Sequence, residues 1–325
     1  MTWYKERTQQ LRDFTRFGRA LILSGDIDPQ FPILRSLYKG LDLDQTHALW
    51  FSSVYLIYYH LGSACQAWES YPSPDVVQEA DWRRDLPYFK QRRCFRGNDY
   101  ARDQLNSLVE ASDGDLSSWV IRLVGGGGEE GWTRLRSEIS TLPYHGPWSS
   151  YKFCDMAKFV HHLPITAPDI GTKPGDTAGP IAGLTSLTGL SWKQCAEDIQ
   201  LHRDLLSYLL DEGVPASGLD VLESILCDWQ SLIRGRYYVG HDVDRDQEQL
   251  HLTNNDLSRF LWGARRSIFD PRLLGEVGGW YTVQRHLNGV YRSSLRPRRS
   301  PWPLEFACNM PGRLRSASVA LHRRS

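Results

Sequence analysis

The chain has 325 residues, enough for one large domain or about two. Its 41% hydrophobic, 12% aromatic and 23% charged content is that of a globular protein with a sizeable core, and it excludes a largely disordered, collagen-like or fibrous chain. Thirty-eight Lys and Arg balance 38 Asp and Glu, which excludes a uniformly basic nucleic-acid binder, yet the zero conceals an uneven distribution. From residue 292 to 325 eight arginines face a single acid, Glu305, so this tail carries +7 and residues 1–291 carry −7.

In chain order the signals are mostly helical. Residues 3–23 place Leu11, Phe14, Phe17 and Leu21 near helical spacing, with Gly25 and Asp26 as the stop. A second helix is expected from the Asp42/Asp44 cap region to Trp68, ending before Pro72-Ser73-Pro74. Its most apolar stretch, 48–61, is broken by Ser52, Ser53 and His60 and is too short to span a membrane, so it reads as a buried core helix. The polar N-terminus does not read as a signal peptide. Further amphipathic helices are expected over 99–110, 116–123, 131–141, 149–162, 191–211, 219–234, 256–269 and 276–288. Tyr237–Val243 is the best strand candidate and Tyr88–Phe95 a weaker one. The run Gly125–Gly128 follows no strand and precedes no Lys-Ser or Lys-Thr pair, so it reads as a flexible connector rather than a phosphate cradle. Residues 164–188 read as a long Gly/Pro/Thr-rich loop carrying Asp169, Lys173 and Asp176, and long loops in compact domains tend to be functional. The six cysteines have no C-x-x-C pair or zinc-finger spacing and read as reduced thiols of a cytoplasmic protein.

Two segments carry candidate chemistry. Leu142-Pro143-Tyr144-His145-Gly146-Pro147-Trp148 leads into an amphipathic helix with Tyr151 and Lys152. It resembles the hairpin of helix-hairpin-helix DNA glycosylases, in which backbone amides and a helix N-terminus grip a DNA phosphate. Tyr144 stands where that hairpin has its first glycine, and Trp148 where lyase-type members carry a Schiff-base lysine, which argues against imine chemistry. Asp169 follows Trp148 at the spacing of the essential glycosylase aspartate. An ordinary helix start with Pro147 near its first position reads equally well.

The second segment is Glu223-x-x-x-Cys227-Asp228-Trp229 followed by Tyr237-Tyr238-x-Gly240-His241-Asp242-x-Asp244. Helical spacing puts Glu223 and Cys227 on one face with Asp228 one step round. An extended Tyr237–Asp244 would put Asp242 and Asp244 on one side beside His241, able to hold a divalent ion or to divide acid and base roles, or to form a solvated acidic turn. Arg92, Arg93 and Arg96, followed by Asn98, read as a phosphate clamp or as a solvated basic loop.

The order of these features over residues 50–246 resembles the phage amino acid:DNA transferases, also described as alpha-glutamyl/putrescinyl thymine pyrophosphorylases and related to the helical domain of 5-hydroxymethyluracil DNA kinases. The resemblance implies a mainly α, DNA-glycosylase-like (helix-hairpin-helix) architecture with minor β. The charge and composition divide the chain into a helical catalytic domain over 1–291, divisible into lobes around residues 142–188, and a basic flexible tail over 292–325. The resemblance also implies transfer of an amino acid or amine to the 5-methylene carbon of phosphorylated or pyrophosphorylated 5-hydroxymethyluracil in double-stranded DNA, in the host cytoplasm and away from membranes. The attacking amine must be neutral, so a carboxylate or histidine has to take its proton. The departing phosphate calls for positive charge from Arg, Lys, a helix N-terminus or Mg2+. On that scheme the catalytic candidates are Asp169, Asp228, His241, Asp242, Asp244, Glu223 and Cys227. The last is a thiol that could add at C6 or simply be structural. Asp242 and Asp244 are the candidate metal ligands. Arg92, Arg93, Arg96, Asn98, Gly146, Trp148, Tyr151 and Lys152 are the candidate DNA contacts. A base-excision glycosylase with Asp169 activating water, and a non-catalytic DNA-binding module, are the alternatives.

Overall fold

The computed structural model describes residues 8–76, 97–173, 175–176, 178–234, 236–237, 239–252, 255–269, 283–285 and 291–293. The described chain is mainly α, with a single antiparallel pairing of Val283–Arg285 with Tyr291–Ser293. Its compact units are two. One draws on Met1–Pro29, Ala178–Glu248 and Phe269–Ser325, the other on Gln30–Thr177 and Gln249–Ile268.

The first unit is built on α1 (Thr8–Ser24) and, further along the chain, α9 (Gly179–Thr188), α10 (Trp192–Glu197), α11 (Ile199–Asp211) and α12 (Leu219–Ile233). Phe14 and Phe17 of α1 pack on Trp229 of α12 with ring centroids 5.6 and 5.9 Å away. Helices α9 and α12 approach so closely that a Cβ on Gly183 would run into the Leu226 carbonyl oxygen. That contact explains a helix in a stretch whose Gly, Pro and Thr content reads as loop: Pro180 sits in the first turn, where its missing N–H costs nothing, and Gly183 permits backbone contact. The expected single helix over 191–211 is two, because Asp198 caps α11 through the Leu201 N–H at 3.0 Å.

The second unit is organised around α3 (Gln45–Tyr58), in which every residue from Ala48 to Tyr58 is buried. Around it lie α2 (Gln30–Gly40), α4 (Leu61–Ser70), α5 (Asn98–Ser112), α6 (Leu116–Val124), α7 (Gly128–Thr141), α8 (Pro147–Phe159) and α14 (Asp256–Ile268). Asp44 caps α3 as expected, accepting from the His47 N–H at 2.9 Å. The helix does not run through to Trp68. Tyr59 turns left-handed at φ 45°, and the His60 ring accepts from the Ser63 N–H to start α4. The glycine run is packed rather than loose: the Gly128 N–H donates to the Pro164 carbonyl at 2.7 Å, and Gly128 accepts from the Thr166 N–H at 3.1 Å.

The strand expected at Tyr237–Val243 is not formed. His241–Leu252 is a helix, α13. Of the helix expected over 276–288 only Val283–Arg285 is described, and it is strand. Tyr88–Phe95 lies outside the described residues.

Candidate functional site

Among the described residues each unit holds a cluster of buried ionisable groups. In the second unit α7 ends at Thr141, and the chain turns through Leu142–Gly146 into α8, with the His145 N–H donating to the Leu142 carbonyl at 3.1 Å. Tyr144 takes the left-handed φ of 63°, so the hairpin keeps the conformation that glycine would adopt most easily. Gly146 is the N-cap of α8 and provides no side-chain cap, which leaves the first amides of the helix open. His145 is buried, its ring within 3.5 Å of the Gln104 carbonyl oxygen, and burial pulls its pKa down to about 4.

Trp148, Tyr151 and Lys152 point into this unit rather than toward a partner. Trp148 meets Tyr59 edge to face. Lys152 donates to Asp155 at 2.7 Å within the core. The Tyr151 hydroxyl donates to the Asp169 carbonyl at 3.2 Å, and its ring lies 5.0 Å from the Arg136 guanidinium. Tyr151 thereby braces the Asp169 loop, and with all three side chains buried in the unit an outward DNA contact is not what their placement serves. Arg92, Arg93 and Arg96 lie outside the described residues, as does the side chain of Asn98.

The Asp169 loop closes on Arg136. The Asp176 carboxylate accepts twice from Arg136 Nη2, at 2.6 Å to each oxygen, and Asp169 Oδ1 stands 3.8 Å from Nη1. Asp169 Oδ1 also accepts from the Gly171 N–H at 2.7 Å. Burial raises the Asp176 pKa despite the neighbouring guanidinium. Arg136 Nε and Nη1 are buried with no hydrogen-bond partner, so the guanidinium holds the loop while retaining unused donors. Sequence reasoning passed over Arg136. The available signal was its place at i+4 from Trp132 and i−3 from Ile139, on the buried face of α7.

The first unit carries a carboxylate cluster. Glu223 is buried on α12, Cys227 one turn on is half-buried, and Asp228 faces Asp26, Asp28, Glu223 and Asp242. Burial, and then repulsion from Asp242, Asp26, Asp28 and Glu223, pushes the Asp228 pKa well above the usual carboxylate range. Asp26, expected only as a helix stop, is wholly buried. It accepts from the Tyr237 hydroxyl at 2.7 Å and from three N–H groups, those of Gly240 at 2.6 Å, Asp242 at 3.1 Å and Val243 at 3.0 Å. It therefore caps α13 from more than two hundred residues away in sequence. Burial and the Asp242 charge outweigh these donors and raise its pKa to about 7.

The helical geometry corrects the expected pairing of Asp242 with Asp244. In α13 the residue one turn after Asp242 is Asp246, buried, with a pKa raised by burial to about 7 while Arg245 opposes the rise. Asp242 meets His241 Nδ1 at 2.9 Å and Arg245 Nη1 at 3.0 Å. The side chain of Asp244 lies outside those described. Among the described residues no three His, Cys, Asp or Glu side chains are spaced to hold a metal ion. Asp26 spends its oxygens on N–H and O–H donors and Asp242 pairs with Arg245, so this donor set does not fit a metal cradle.

A family model for amino acid:DNA transferases matches residues 23–238, well over half of the chain. The chain belongs to the amino acid:DNA transferase family. No curated protein matches it. Membership makes the protein an enzyme that acts between an amino acid and DNA. The span that defines it as an amino acid:DNA transferase contains Asp26, the hairpin, the Arg136–Asp169–Asp176 group, Glu223, Cys227, Asp228 and Tyr237, whereas His241, Asp242 and Asp244 follow its end. No described helix of this transferase is long and apolar enough to cross a membrane.

Proposed function

We propose that this transferase joins an amino acid or amine to the 5-methylene carbon of phosphorylated or pyrophosphorylated 5-hydroxymethyluracil in double-stranded DNA. The observation that carries the reading is the cluster of Asp228, Asp26 and Asp242, in which burial and mutual repulsion lift Asp228 and Asp26 toward neutrality. A free amino acid is mostly ammonium at pH 7 and cannot attack carbon until it loses a proton. An ordinary carboxylate is too weak a base, and a carboxylate whose pKa is raised by burial and like-charged neighbours accepts that proton more readily.

Asp228 is the residue assigned to this step. The amine nitrogen, freed of its proton, forms a bond to the methylene carbon. The carbon–oxygen bond breaks, and its electron pair leaves on the phosphate or pyrophosphate. The second proton of the new ammonium adduct passes to the same cluster. Asp26 holds the start of α13 and so sets the position of Asp242 and His241. Asp169, whose Oδ1 accepts from the Gly171 N–H in the other unit, is the alternative candidate base. Cys227 is kept as an alternative nucleophile toward C6. Arg92, Arg93 and Arg96 are assigned to the departing phosphate. The basic tail over 292–325 adds non-specific attraction for DNA, which an acidic body by itself lacks.

The test incubates the protein with DNA containing 5-phosphomethyl- or 5-pyrophosphorylmethyl-uracil, mixed amino acids and Mg2+, then digests the DNA for mass spectrometry. An aminoacylated thymidine supports the reading. Free base or abasic sites indicate a glycosylase, and unaltered DNA with retained binding indicates a non-catalytic module.

A further inference from the structure

Large apolar side chains are exposed at few described positions, and two of those touch one another. Tyr100, in the first turn of α5, is 41% exposed, and Tyr144, at the tip of the hairpin, is 45% exposed. Their rings meet edge to face with centroids 4.9 Å apart. Tyr144 holds this position at φ 63°, a conformation that a bulky side chain avoids and glycine takes freely. The turn is built to keep it there: buried Gln104 donates to the Tyr144 carbonyl at 3.0 Å, and the buried His145 ring lies against the Gln104 carbonyl and the Ser149 hydroxyl. A strained backbone maintained by buried partners, for a ring left nearly half in solvent, indicates that the ring has work outside the fold.

Its surroundings fit nucleic acid. Two residues on, Gly146 opens α8 without a side-chain cap, and a Cβ there would meet nothing within 4 Å, so the backbone at the helix start is open on that side. The aromatic residues among the expected DNA contacts, Trp148 and Tyr151, are inside. We infer that Tyr144, backed by Tyr100, is a stacking platform for a base of the DNA substrate, presented beside the uncapped start of α8. Chemistry on a base inside a duplex requires that base to leave the stack, and an aromatic face stabilises what is left unpaired. This assignment rests on DNA being the acceptor and adds the surface that receives it.

The test compares wild type with Tyr144→Gly, Tyr144→Phe and Tyr100→Ala. Glycine suits φ 63°, so Tyr144→Gly removes the ring without disturbing the turn, and its melting temperature is expected at or above that of wild type. Binding is read by anisotropy with a labelled duplex containing one mismatched 2-aminopurine, over a series of salt concentrations. Tyr144→Gly is expected to bind about tenfold more weakly, with less quenching of 2-aminopurine and the same salt slope, because stacking and not charge is lost. Tyr100→Ala is expected to weaken binding in the same direction by a smaller factor. Tyr144→Phe is expected to bind as wild type. Wild-type binding and quenching in Tyr144→Gly overturn the platform alone. A wild-type protein that neither binds the duplex nor modifies DNA overturns the functional reading and the platform together.

Discussion

Asp26→Asn separates the electrostatic role of the buried cluster from its structural one. In wild type the Asp26 pKa is raised from 3.8 to about 7, so the folded protein binds a proton more tightly than the unfolded chain. Stability is therefore greatest below the unfolded pKa and falls as pH rises through the window from about 4 to about 7. A rise of this size corresponds to about 4 kcal/mol of stability lost across that window. Asparagine cannot titrate, so this part of the slope disappears. Its amide must also turn one NH2 toward donors. The best orientation faces it to Tyr237, whose hydroxyl can reverse, and leaves the Gly240 N–H without an acceptor, at a cost of about 1–3 kcal/mol. The two effects cross. Near pH 4 the variant is expected to be less stable than wild type by about 1–3 kcal/mol. At about pH 8, above the folded pKa, it is expected to be as stable or more so, because the ionised carboxylate and its repulsion from Asp242 are gone. Urea denaturation followed by fluorescence at several pH values measures this directly. Parallel pH profiles for the two proteins would refute the assignment of a raised pKa to Asp26.

Other substitutions discriminate the remaining roles. Asp228→Asn is expected to lower kcat by about 10²–10⁴ without loss of thermal stability at mildly alkaline pH, since a repelled carboxylate is neutralised; a fall in stability that parallels the fall in activity would make it structural. Asp242→Asn and Asp169→Asn are each expected to abolish turnover with DNA binding retained, as measured by anisotropy beside the transfer assay. Arg136→Met removes the cation that holds Asp176 and is expected to destabilise the protein by about 3–5 kcal/mol, with partial recovery in Arg136→Lys. Gly183→Ala forces a methyl into the Leu226 carbonyl and is expected to cost at least about 1–3 kcal/mol, read as a lower urea midpoint.

The helical architecture was largely legible because burial follows local spacing: α5 to α8, α12 and α14 each carry their apolar residues at helical intervals. Where the reading departed from the structure, the deciding contact was distant in sequence. Helix α9 exists because its glycine lies against the α12 backbone, and no property of residues 179–188 alone distinguishes that from a loop. Helix α2 was not anticipated, although its Pro32 falls in the first turn, where proline costs little. The alternation in Tyr237–Val243 gave way to a helix start because Asp26 supplies the acceptor for three of its backbone N–H groups. The same long-range contact hid Asp26 itself. Asp228, Asp242 and Glu223 were identified from their types and spacing, and the fold brings them into one cluster, though by a helical register in which Asp246 and not Asp244 follows Asp242 on the same face. Arg136 escaped because arginine on an amphipathic helix ordinarily faces solvent.

On the proposed reading a carboxylate-activated amine displaces phosphate from a modified thymine in DNA. The most direct measurement supplies isotopically labelled amino acid to DNA carrying 5-phosphomethyluracil and follows both the label in the digested nucleosides and the phosphate released, for wild type and Asp228→Asn. One labelled nucleoside adduct is expected for each phosphate released by wild type, and neither product from the variant. Phosphate released without label, or label incorporated equally by the variant, would contradict it.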